Sequence, residues 1–126
     1  MPSVHQGAVR QGSAVLVAPA VLWSMHFLFV YVFASLACLW GWQGATVLGI
    51  GVVAAVVSLA TAFTVLLIAL IGVRAWRAVP EAPAHPTDAR SRRSRFIAQA
   101  TAAQSALFAF STVIVGVPTL MRPPCV

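Results

Sequence analysis

The sequence predicts an all-α membrane protein of three transmembrane helices, with a cytoplasmic N-terminus and a periplasmic C-terminus. Three observations carry that expectation. Only 8% of the 126 residues are charged, 60% are hydrophobic, and the mean hydropathy is +0.92. Every charge falls outside three uncharged runs, Ala14–Trp40, Ala45–Val73 and Phe96–Met121. Most of the eight arginines lie between the second and third runs. A soluble domain usually carries about 25% charge, and a chain this short cannot close a core around so much apolar surface. Disorder is excluded as well, because it needs low hydrophobicity.

Each run exceeds the roughly 20 apolar residues that a helix needs to cross about 30 Å of hydrocarbon, so the surplus goes to tilt or to the interface. The runs leave no room for a separate soluble domain. Barrel strands alternate apolar and polar residues. Here Val52–Val57 reads Val-Val-Ala-Ala-Val-Val, so helices are expected, each satisfying its own backbone in lipid. The first run is also too long for the 7–15-residue core of a signal peptide. Ser35-Leu36-Ala37-Cys38 only faintly resembles a lipoprotein cleavage site.

The expected order is a cytoplasmic tail over 1–13, helix 14–40, a periplasmic turn 41–44, helix 45–73, an Arg/Pro-rich cytoplasmic loop 74–95, helix 96–121 and a periplasmic tail 122–126. Arginine placement sets the orientation. Arg74, Arg77, Arg90, Arg92, Arg93 and Arg95 crowd the second connection, whereas Gly41–Gly44 carries no charge. Arg-rich loops stay cytoplasmic. Arg10 agrees and Arg122 dissents. Trp40 and Trp42 beside one turn and Trp76 at the opposite end fit an interfacial aromatic belt; Trp23 is deeper and has no such reason.

Pro80, Pro83 and Pro86 favour an extended path through the loop. Arg90, Arg92, Arg93 and Arg95 then read as anchors on anionic headgroups, worth about 1 kcal/mol each. A docking site for an acidic partner is the sharper alternative. Clustering in one connection, rather than along a face with aromatics, argues against nucleic acid as a partner.

Small residues at four-residue spacing, Ala54, Ser58 and Ala62 on the second helix and Ala98, Ala102 and Ala106 on the third, are expected at helix contacts. The short first turn makes helices one and two antiparallel neighbours. His26, Ser58, Thr61, Ser111 and Thr112 fall at similar depth, with Gln104 nearer the cytoplasm, and are expected to form hydrogen bonds across the bundle or to a partner. Gly116 and Pro118 should bend or end the third helix.

His26 is the only residue within the runs that can carry positive charge, and an intramembrane ionisable group is a functional candidate by default. It suits a haem or copper ligand, a proton relay, or a neutral ring bonded across a helix interface. Metal sites need several converging ligands, so no cofactor is expected on this chain alone; a haem or copper would belong to a partner or to a homo-oligomer. The runs contain no acid, which argues against a proton-coupled small multidrug transporter.

Cys38 and Cys125 fall in the same, oxidising compartment under the topology read from arginine alone. A disulfide is expected, closing most of the chain into a loop and stabilising by about 2–4 kcal/mol. A thiol pair carrying copper or redox equivalents is the alternative.

Trp23-x-x-His26-Phe27, Tyr31 and Cys38, with Pro118 and a closing Pro123-Pro124-Cys125, resemble small three-helix bacterial membrane proteins. Those are encoded beside haem–copper cytochrome c oxidases and their copper-delivery assembly factors. The resemblance covers most of helix one and the last ten residues. It implies a non-enzymatic accessory subunit or assembly factor of a respiratory oxidase in the inner membrane. Trp23, His26 and Tyr31 would be its partner contacts. A small metal or redox carrier and an oligomeric channel or transporter stand as the other readings.

Overall fold

The computed structural model describes residues 2–77, 89–121 and Cys125; the side chains of 2–12, Arg90 and Ser91 lie outside the described set. The chain is overwhelmingly helical. Helix α1 runs Pro2–Leu39, α2 Val52–Arg77, α3 Ala89–Gly116 and the short α4 Pro118–Met121. Three stretches, Ser13–Leu39, Val52–Arg77 and Arg92–Met121, are long and apolar enough to cross a membrane.

The boundaries differ from those expected. The tail expected over 1–13 is helical from Pro2 onward. The second helix starts at Val52 rather than at residue 45. Between α1 and α2 lie a 3-10 turn, Trp42–Gly44, and a two-stranded antiparallel ribbon of β1, Thr46–Val47, and β2, Ile50–Gly51. Leu48 and Gly49 form the ribbon's turn, both with positive φ, 53° and 80°. That backbone matches the twist of a hairpin, and glycine adopts it freely. Leu48 holds it against its side chain, a cost of about 1 kcal/mol. Val52 N–H donating to Ala45 O closes the stem directly onto α2.

Helix α3 begins seven residues earlier than position 96, so Arg92, Arg93 and Arg95 stand on a helical turn. Val117 interrupts it. The residue before a proline is disfavoured in helical geometry, and Pro118 suits the first position of the next helix. Pro80, Pro83, Pro86 and the tail residues Arg122, Pro123 and Pro124 lie outside the described residues.

Helices α2 and α3 share the most extensive contact. They are antiparallel: Gly72 lies against Ser105 near one end, and Gly116 against Thr61 near the other. A Cβ on Gly72 would stand 2.9 Å from Ser105 Cβ, and one on Gly116 2.8 Å from Thr61 Oγ1. Glycine is therefore required at both points. Helix α1 lies across this pair, with Val30, Ala37, Val53 and Val57 forming a small apolar cluster that Phe33 covers.

The contact seam is displaced from the expected small-residue stripes. Ala62 and Ala106 are exposed, and Ala54, Ser58, Ala98 and Ala102 are half-buried. The buried positions are Val53, Val57, Thr64, Ile68, Gly72 and Ala75 on α2 and Thr101, Ser105, Thr112 and Gly116 on α3. Alanine spacing alone sets a period but not a phase. The two glycines allow the closest approach, and that approach decides which face turns inward.

Candidate functional site

Of the polar residues that the sequence placed at one depth, His26 and Thr61 meet across the helices near the centre of the bundle. His26, the middle residue of the Ser13–Leu39 stretch, is only 4% exposed. Its Nε2 lies 3.0 Å from Thr61 Oγ1. Thr61 Oγ1 in turn donates to Val57 O at 2.7 Å. A hydroxyl has one hydrogen, so Nε2 carries the proton and donates to Thr61. His26 Nδ1 is then left buried without a partner. Thr61 is the node of the site, bonded to α1 through His26 and touching α3 at Gly116.

One turn of α1 towards its N-terminus, Trp23 Nε1 donates to Ser111 Oγ at 3.1 Å. Its ring lies between Phe27 and Phe108, with centroids 5.9 and 5.6 Å away. This gives Trp23 the reason that an interfacial belt did not. Two of the three expected partner contacts, Trp23 and His26, therefore face inward and tie α1 to α3 and α2. Tyr31 alone faces outward, 69% exposed.

Three other buried hydroxyls bond within their own helices. Thr64 donates to Ala60 O, Ser105 to Thr101 O and Thr112 to Phe108 O. Such back-bonding satisfies a hydroxyl in an apolar interior without a cross-helix partner. Ser58 Oγ and Thr101 Oγ1 are buried without a partner. Gln104 is half-buried on α3.

Cys38, at the end of α1, is joined to Cys125 by a disulfide with a Cα–Cα separation of 5.6 Å. The bond clasps the chain's end onto the first helix. At the opposite end of the bundle, Arg74 and Arg77 close α2, and Arg92, Arg93 and Arg95 open α3, all exposed. The side chain of Arg90 lies outside the described residues. Among the described residues, no three of His, Cys, Asp or Glu come together as a metal-holding group.

Sequence reasoning missed the hairpin and the two glycine contacts. Four glycines between positions 41 and 51 were the available signal for the hairpin, since closely spaced glycines punctuate helices. No family model, curated protein or solved structure matches this chain.

Proposed function

We propose that this chain is a non-catalytic, three-span subunit of the bacterial inner membrane that works by packing an outer helix face against a larger membrane complex. The arginine-rich end faces the cytoplasm and the disulfide faces the periplasm. The partner that the resemblance points to is a respiratory haem–copper oxidase, in which any haem or copper would reside.

The observation that carries this reading is the position of Tyr31. The residue is exposed on α1, eight residues before Leu39, or about 12 Å along the axis. Helical side chains lean towards the N-terminus, which takes the phenol still deeper, away from the headgroups. Lipid tails offer no acceptor there, so an uncovered hydroxyl is costly. A neighbouring transmembrane helix with a carbonyl or hydroxyl acceptor removes that cost. The bundle's own polar groups give further support, because Trp23, His26, Thr61 and Ser111 bond among themselves.

The test is co-purification of the tagged chain from native membranes in mild detergent, with partners identified by mass spectrometry. Oxidase subunits are expected in near-equal amount, reduced by Tyr31→Phe, lost with Tyr31→Ala and retained by Leu66→Ala on another exposed face. Recovery of the chain alone, or only with itself, overturns the oxidase reading and leaves the channel or a homo-oligomer. Loss of haem or copper from an intact complex on His26→Ala would favour the carrier.

A further inference from the structure

The hairpin between α1 and α2 holds a backbone outlier that the bundle does not explain. Its turn, Leu48-Gly49, puts both residues at positive φ. The first position of such a turn ordinarily takes asparagine, aspartate or glycine. Here it takes leucine, and that leucine is 98% exposed. Strain of this kind persists where the side chain does something that its unstrained replacements would not do.

The surroundings indicate what that is. Val47 and Ile50 are register partners in the ribbon, so they project from the same face, and both are exposed. No residue from Leu39 to Val52 is charged. Trp40 and Trp42 stand at the root with ring centroids 5.2 Å apart, in the manner of interfacial tryptophans. A protein-docking loop would be expected to offer a polar rim, and beside its tryptophans the connection between α1 and α2 has only Gln43 and Thr46.

The depth fits as well. Arg74 is the first charge met along α2. From Val52 to the residue before Arg74 the helix rises about 33 Å, close to the hydrocarbon thickness of about 30 Å. With Arg74 at one boundary, the hairpin springs from the other, at the level of the headgroups.

We propose that Ala45–Gly51 is an interfacial anchor, with Leu48, Val47 and Ile50 entering the acyl boundary of the leaflet on the Cys38 side. The proposal rests on the membrane reading of the three helices but not on the identity of a partner. The hairpin folds back onto the bilayer and fixes the tilt of the α1–α2 pair.

The test uses the full chain, purified and reconstituted in liposomes of phosphatidylcholine and phosphatidylglycerol. The native cysteines are joined to each other, so Leu48→Cys can be labelled alone with an environment-sensitive fluorophore. Ile50→Cys is a second reporter should the turn not tolerate the first. Phe63→Cys, exposed in the middle of α2, is the reference for hydrocarbon. The hairpin labels are expected to emit to the blue of a free label and to be quenched by nitroxides high on the acyl chain. Their iodide quenching is expected to fall at least threefold. A hydrated, iodide-accessible label at both hairpin positions, with Phe63→Cys still lipid-quenched, overturns the anchor and leaves the spans intact. Shielding seen only in native membranes, and not in liposomes, also overturns it and assigns the hairpin to a protein partner. If Phe63→Cys is itself hydrated, the membrane reading fails, and the anchor fails with it.

Discussion

Replacing Gly116 by alanine should destabilise the bundle by about 1–3 kcal/mol, the range for overpacking a tight contact. The new Cβ would lie 2.8 Å from Thr61 Oγ1, 3.0 Å from Cγ2 and 3.3 Å from Cβ. Rotating Thr61 cannot clear two branches at once. Rotation would also break its bond to His26, worth about 0.6 kcal/mol for an average polar contact between membrane helices. Helix propensity acts in the opposite direction, since alanine exceeds glycine by up to about 1 kcal/mol within a helix. Gly116 is the last residue of α3, where that gain is smaller, so the clash wins. Reversible unfolding in mixed micelles, followed by tryptophan fluorescence, measures the loss. Gly44→Ala is the control, because a Cβ there meets nothing within 4 Å. Thr61→Ala removes both clashing branches, so the double variant should be at least about 1 kcal/mol more stable than additivity allows. A Gly116→Ala protein as stable as the parent, or strictly additive effects, would refute the close α2–α3 approach.

Three further outcomes follow from the same contacts. Cys125→Ser should cost about 2–4 kcal/mol, and in the parent Cys38 and Cys125 should resist maleimide until reductant is added; immediate labelling of both would rule out the clasp. Trp23→Phe keeps a ring against Phe108 but removes the donor to Ser111; the expected loss is about 0.6–1.7 kcal/mol in the same unfolding assay, and a larger loss would place the weight on ring packing. Leu48→Asn should stabilise the turn by several tenths of a kcal/mol in detergent, because asparagine tolerates the left-handed backbone; a loss there would show that an apolar contact of Leu48, with the micelle or the protein, outweighs the strain.

Charge exclusion made the three helices legible, because a single arginine within a run would have been conspicuous. The disulfide was legible through topology: arginine placement put Cys38 and Cys125 at one end, and they are bonded there. The depth of the polar residues could also be read, since a helix rises uniformly and residue number converts directly to height. Rotation about each helix axis could not. The bundle is apolar on nearly all sides, so amphipathicity, which phases a helix in water, carries little signal. Spacing therefore points to Ala54, Ser58 and Ala62, whereas the buried residues are Val57, Thr64 and Ile68.

The same loss of phase explains why the candidate site was only half readable. His26 and Thr61 are expected at one level, and their meeting needs one rotation of each helix, of which Gly116 and Gly72 bear on those of α2 and α3. Those glycines were invisible as determinants, because their role lies in what a side chain would strike on another helix. On α1, the bonds of Trp23 to Ser111 and of His26 to Thr61 turn those two side chains inward and leave Tyr31 outward. The sequence motif Trp23-x-x-His26 therefore reports how this bundle is held together. Tyr31, one residue beyond the buried Val30 on the same helix, faces outward instead. A substitution at Tyr31 should accordingly alter partner recovery without altering the bundle's unfolding, whereas Trp23 and His26 substitutions should alter unfolding first. Unfolding curves and partner recovery measured together on all three variants separate a binding face from an internal brace. Equal loss of stability in all three would return Tyr31 to the bundle and leave the docking reading without its support.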